Sequence, residues 1–181
     1  FKFEQKTALA INKLLTGEEG CVIAFPAINK QTIAQKLEKA EEQDLLVKIE
    51  SHAREVFRIE CGIPSYGIDM DEKNILPETG LEHSSVSYNK GCYIGQEVIA
   101  RIKTYGAPNF ALMGLIIEGD VLPISGGEIK IDSKKLGVIK SSIFSYSLQK
   151  NISLAYIQKD HRSPDIDLDV TIDSKPYKIR T

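Results

Sequence analysis

ALMGLII, residues 111–117, opens a series of short runs rich in β-branched and apolar residues. The others are Glu128–Ile131, Leu136–Ile143, Ile152–Ile157, Ile166–Ile172 and Tyr177–Ile179. Turn residues separate them at Gly119-Asp120, Ser125-Gly126-Gly127, Asp132-Ser133, Lys150-Asn151 and Ser163-Pro164. Evenly spaced short strands with turn signals between them predict a small antiparallel barrel or sandwich. The texture changes near Tyr105–Asn109, so the sequence divides into an α+β body over 1–107 and a C-terminal β-barrel over 108–181.

Upstream of the barrel, the body reads as strand, helix, strand. Gly20–Pro26 (GCVIAFP) is a buried-strand candidate. Gln31–Glu42 follows with Ile33, Leu37 and Ala40 on one helical face and charges on the other. Leu45–Ile49 reads as a second strand. That order predicts part of a split βαβ, ferredoxin-like unit. Ser51 is the expected N-cap of a helix running to about Cys61, with Gly62 at the left-handed position beyond its end and Pro64 stopping it. Ile63–Tyr88 is rich in turn residues and reads as a long functional or wrapping loop. His83 stands alone in it and reads as a surface histidine.

Between loop and barrel lies Lys90-Gly91-Cys92-Tyr93-Ile94-Gly95-Gln96-Glu97, followed by a short helix over Gln96–Lys103 with Glu97 and Arg101 spaced as an i,i+4 pair. Cys92 sits between two glycines, beside a lysine, at an expected helix start. A neighbouring ammonium and a helix N-terminus both favour a thiolate. The plainer reading is a tight turn with a small buried cysteine. Lys90 reads as an electrostatic partner, Tyr93 as a core or ring-stacking residue, and Gln96 and Glu97 as helix caps or ligand contacts.

Composition frames these readings. The 181 residues are 42% hydrophobic and 27% charged with net charge −2, enough for one large or two small domains. There is no global basic surface for nucleic acid. No apolar run reaches the roughly 20 residues a membrane helix needs. The three cysteines lie far apart with no CxxC, and the three histidines are scattered. Neither a disulfide framework nor a metal site is expected, a cluster shared between subunits being the minor alternative, and a cytoplasmic protein fits best. The chain starts at Phe1, which fits a processed or truncated N-terminus.

KGCYIGQE resembles the signature of the folate-binding YgfZ family, relatives of the glycine-cleavage T-protein aminomethyltransferases. The likeness extends over Arg58–Pro64, Tyr66–Asp69, Leu76–Glu78 and Val98–Arg101, and more weakly over Gly137–Ser142. It implies an aminomethyltransferase-type α+β body followed by a β-barrel, with tetrahydrofolate as cofactor. It also implies a further N-terminal part, carrying the aminomethyltransferases' catalytic aspartate, so this sequence is expected to be either a fragment or a shortened member without it. RIECG, residues 58–62, is similar to the RLEAG-type segment whose glutamate contacts the pterin ring, which assigns that role to Glu60. A carboxylate can accept two hydrogen bonds from a pterin's amino group and ring N–H. The plainer reading of Glu60 pairs it with Arg54 or Arg58.

The resemblance implies a folate-binding protein that supports assembly or repair of iron–sulfur enzymes, some of them tRNA-modifying, through a reactive Cys92. Cofactor contacts would come from Glu60, Lys90, Tyr93, Gln96, Glu97 and Arg101. The iron–sulfur enzymes would be its clients, with an indirect tRNA link and no membrane partner. One alternative is a tetrahydrofolate-dependent aminomethyltransferase of the glycine-cleavage type, which shares Glu60 and GIPSYGID but not the GCY and GQE elements. Another is a non-enzymatic scaffold docking a partner or RNA. Family members place basic residues just before the first barrel strand, where this chain has Pro108, Asn109 and Phe110.

Overall fold

The computed structural model describes residues 2–3, 6–7, 9–12 and 20–181. The chain forms two compact units, Phe1–Cys61 and Gly62–Thr181. The α+β class and the antiparallel barrel both stand.

In the first unit, β1 (Lys2–Phe3) pairs with β2 (Lys6–Thr7), and β3 (Leu9–Asn12) pairs antiparallel with β4 (Cys21–Ala24). Helices α1 (Lys30–Glu42) and α2 (Ser51–Glu60) follow. Two expectations are corrected. The residues of β4 are exposed, not buried. Leu45–Ile49 forms no strand: a strand needs a partner ladder, and here Leu45 and Val47 are 73% and 84% exposed. The cap of α2 moves by one residue, to Glu50, without a side-chain cap bond. On α2, Val56, Arg58 and Ile59 are buried, and Gly62 takes φ 66° just past the helix end.

The second unit begins with the Gly62–Tyr88 segment. It holds a 3-10 turn at Leu76–Glu78 and the one-turn helix α3 (Glu82–Ser85). Helix α4 (Gln96–Tyr105) follows. Six strands then close into a barrel: β5 (Phe110–Glu118), β6 (Glu128–Ile131), β7 (Lys134–Ser145), β8 (Lys150–Gln158), β9 (Asp167–Ile172) and β10 (Lys175–Arg180). Their order around the barrel is β10-β5-β8-β7-β6-β9. Closure leaves no strand edge to aggregate. Alternate residues such as Leu115, Ile117, Ile129, Ile139, Ile157 and Ile172 fill the interior at 2% exposure or less. Each contributes about 1.5–3 kcal/mol by leaving water.

All six expected strands form. The β7–β8 turn falls at 146–149, with Gln149 at φ 53°, so Lys150 begins a strand instead of a turn. The β9–β10 hairpin turns at Asp173-Ser174, both left-handed. Small polar residues tolerate that conformation best after glycine.

Strand β8 explains why the long loop wraps. Ala155 and Ile157 face the barrel interior, so Ile152, Leu154 and Tyr156 face outward, yet all three are buried. The covering comes from the Gly62–Tyr88 segment, whose Leu76–Glu78 turn packs on β5. A register shift in β7 between Ile139 and Ser141 sets Ser141 opposite Leu154, on the outer face. A bulge re-aims a side chain in this way. The Ser141 hydroxyl donates to the Asp69 carboxylate, which is fully buried and also accepts from the Ser65 N–H at 2.8 Å. The wrap is thus pinned to the barrel by one buried carboxylate.

Candidate functional site

The octapeptide lies in the second unit between α3 and α4. Gly95 is the N-cap of α4 at φ 88°, a conformation that a β-carbon makes costly. The Gln96 N–H donates to the Tyr93 carbonyl at 3.2 Å, and the Tyr93 N–H donates to the Gln96 side-chain carbonyl at 3.4 Å. Gln96 therefore closes the turn as a local cap. Ile94, at the turn's tip, is fully exposed.

Cys92 is exposed and free, three residues before the N-cap. The expectation that it opens the helix is corrected, because the dipole acts within the first turn and α4 starts at Gln96. The plainer reading of a buried cysteine is corrected as well. Lys90 Nζ sits over the Tyr93 ring, 4.7 Å from its centroid. The structure thus brings Lys90, Tyr93 and Gln96 together around the thiol's turn. Glu97 and Arg101 are both exposed and do not form the expected ion pair.

Glu60 is half-buried in the last turn of α2, in the first unit. Its neighbours on the same helix make their own cluster. Arg58 donates to Glu55 Oε2 through Nε at 3.0 Å and Nη2 at 2.7 Å, and Arg54 reaches Glu55 Oε1 at 3.4 Å. Hydrogen bonding from Arg58 holds the Glu55 carboxyl below its ordinary range, against a smaller opposing effect of burial.

Several polar residues were missed by the sequence reading. Tyr88, in the loop, donates its hydroxyl to Glu82 on α3, and Lys103 on α4 stands over its ring at 3.4 Å from the centroid. The bond to Glu82 is the main cause that pushes the Tyr88 phenol up to about 12, with partial burial and the Glu82 charge adding to it. A Tyr–Lys spacing of 15 residues carries no helical or strand period, so only the fold reveals it. Beside the barrel, Arg162 donates to the Pro108 carbonyl at 2.7 Å and the Lys159 N–H donates to Asn109 at 2.8 Å. The Arg162 guanidinium, from the β8–β9 connection, supplies at Pro108 a cation absent from the 108–110 sequence.

Comparison with known proteins falls in line with this architecture. Residues 111–181 match the family described as the glycine cleavage T-protein C-terminal barrel domain. An aminomethyltransferase of Caldanaerobacter subterraneus is 31% identical over 184 residues, covering 98% of this chain and 49% of that protein. One from Halalkalibacterium halodurans is 32% identical over 168 residues, covering 89% of this chain and 45% of that protein. The crystal structure of glycine cleavage system aminomethyltransferase T from Bartonella henselae superimposes with a TM-score of 0.81 at 19% identity. It covers 96% of this chain and 48% of that one. The chain is therefore glycine-cleavage T-protein-like in fold and sequence, and spans about half the length of the curated relatives it matches.

Among the described residues no helix is long and apolar enough to cross a membrane.

Proposed function

We propose that the chain serves folate-dependent one-carbon transfer of the aminomethyltransferase kind. The observation that carries this reading is the likeness to aminomethyltransferases over 98% of the chain. It favours the alternative of the sequence reading over the iron–sulfur role. The resident cofactor would be tetrahydrofolate, which supplies the nitrogen atoms that carry a one-carbon unit.

Each unit carries groups suited to such a ligand. The half-buried Glu60 carboxylate supplies two acceptor oxygens for a pterin's amino and ring N–H groups. The exposed KGCYIG turn offers the Tyr93 ring and the Lys90 ammonium, with Gln96 holding the turn in shape. Glu97 and Arg101 stand free of each other on α4 to meet a ligand's polar edge. The test is glycine-dependent formation of methylene-tetrahydrofolate with a lipoyl carrier protein and the gene's full product. Turnover that falls at least tenfold in Glu60→Gln supports the reading; absence of turnover with a competent carrier sinks it.

A second reading rests on the octapeptide, whose GCY and GQE elements resemble those of the YgfZ family. In it the exposed Cys92 thiol acts in upkeep of iron–sulfur enzymes, including tRNA-modifying ones. A deletion strain under oxidative stress separates the two. Aconitase-type activity restored by the wild-type gene but not by Cys92→Ala favours this second reading. An unaffected iron–sulfur enzyme pool leaves aminomethyl transfer.

A further inference from the structure

One end of the barrel carries an apolar surface that the barrel's own core does not use. Strand β5 ends there, with Ile117 opposite Asn151 of β8, and the Asn151 side chain donates to the Gly119 carbonyl at 2.7 Å. That bond ties the β5–β6 loop to the β7–β8 turn. The loop exposes Val121, Leu122 and Ile124, and the turn with its approach exposes Phe144, Tyr146 and Leu148, all between 37% and 68%. Single exposed apolar residues are ordinary on a monomer; six at one end call for a cover. Both segments are held in shape. The Leu148 N–H donates to Ser145 Oγ at 3.0 Å, and the Gln149 side chain donates to the Tyr146 carbonyl at 2.7 Å. In the loop, the Gly126 N–H donates to the Ile139 carbonyl at 2.9 Å and the Gly127 N–H to the Ile124 carbonyl at 3.1 Å. The Phe144 and Tyr146 rings meet edge to face, 5.4 Å apart. Fixed turns present these side chains with little ordering left to be lost on contact. Between the two segments, a cleft of about 410 Å³ is lined by Gly119, Phe144 and three charged groups, Glu118, Asp120 and Lys150. All three are exposed, and among the described residues none of them forms an ion pair.

We propose that this end of the barrel is a two-fold contact between two copies of the chain, in which Lys150 of each copy faces Glu118 and Asp120 of the other. A surface with an apolar centre and both signs of charge beside it complements itself. In a two-fold contact residue i meets j and j meets i, so the pairing of lysine with carboxylates forms twice. The area agrees. At ~150–200 Å² for a large side chain, the six apolar residues expose on the order of 500 Å². A standard interface covers about 800 Å² per partner, about 60% of it apolar. This end therefore supplies about the apolar share of one such interface, and the charged groups supply its rim. The closed barrel offers no free strand edge, so side chains carry the contact. A lipid surface fits less well, because an anionic membrane attracts clustered lysines and here carboxylates stand beside Lys150. None of these residues belongs to the octapeptide, α2 or α4, so the inference stands apart from the folate reading.

The test is sedimentation velocity of the 181-residue chain over a wide range of concentration. A reversible dimer with a dissociation constant of about 10 μM is expected. Ile124→Asp and Tyr146→Asp should each weaken it about a hundredfold, since the two-fold axis counts each change twice. Lys150→Glu should weaken self-association at least about tenfold, as should the double change Glu118→Lys with Asp120→Lys. An equimolar mixture of those two charge-reversed chains should regain a mixed dimer near wild-type affinity, because both lysine–carboxylate pairings are then restored. Circular dichroism unchanged from wild type confirms that these surface variants fold. A chain that stays monomeric throughout the range overturns the proposal. A dimer that keeps its affinity in Ile124→Asp and Tyr146→Asp is held elsewhere and overturns it too. A mixture no tighter than either charge-reversed chain alone overturns the two-fold pairing. A monomer that sediments with phosphatidylserine vesicles, and loses them in Ile124→Asp, assigns this end to a lipid surface and overturns the contact between copies.

Discussion

A β-carbon at position 137 would stand 2.1 Å from the Tyr156 carbonyl oxygen and 3.0 Å from an Ile157 methyl group. Gly137 lies directly across from Ile157, where β7 and β8 approach closely. Backbone cannot swing aside as a long side chain would, so Gly137→Ala is expected to cost about 1–3 kcal/mol or more, read as a lowered urea midpoint. No change at that position would contradict the packing. Tyr156 gives the opposite expectation. Its hydroxyl is buried with no partner among the described residues. Burial, helped by the charges of Glu78, Asp69 and Asp71, pushes its phenol up to about 12. Removing an unsatisfied buried hydroxyl removes a penalty, so Tyr156→Phe should leave stability unchanged or raise it by up to about 1 kcal/mol. A loss of that size would mean the hydroxyl has a bonding partner such as an ordered water. At this scale the sequence announced Cys92, Lys90 and Tyr93 through their company in one octapeptide. It hid Tyr88 and Lys103, because their contact joins a loop to a helix across a separation that no local period marks.

The strands of the barrel were legible because each is a short run rich in apolar and β-branched residues bounded by turn residues. Leu45–Ile49 carries similar apolar content but forms no strand, since apolar content specifies burial and only a neighbouring strand supplies the ladder. Nothing in the period of β7 announced the shift after Ile139 either, since its purpose is a contact to Asp69, 72 residues away. Asp69→Asn should therefore cost about 1–3 kcal/mol. Hydrogen exchange should quicken at Ser65 and Gly67 in the wrap while the amide of Ala155 in the barrel stays protected. Equal loosening of both would show that the carboxylate supports the barrel itself. On α2 the expected effect is one of pH. The Glu55 carboxyl is lowered in the folded chain by Arg58. Its contribution is fully present above about 4.5, its ordinary value, and fades as pH falls through the lowered one. The acid limb of stability should be shallower in Arg58→Met, as a urea series across pH 2–6 would reveal.

As a whole the molecule joins two units of unlike character. The second closes a barrel around an aliphatic interior and wraps its outer face with the loop that leads to the octapeptide. The first leaves Leu9, Ile11, Val22, Ile23, Val47 and Ile49 between 39% and 84% exposed. The barrel's interior was readable because its residues bury one another within 70 residues of sequence. The candidate site was readable only in part, because Glu60 and Cys92 fall in different units and no pattern in the sequence relates them. The most direct measurement is a backbone amide chemical-shift map of the isotopically labelled 181-residue chain on addition of 5-formyltetrahydrofolate. The account predicts saturable shifts concentrated at Lys90–Glu97 and around Glu60, both weakened by Glu60→Gln. Shifts confined to the barrel strands, or none at saturating ligand, would contradict it.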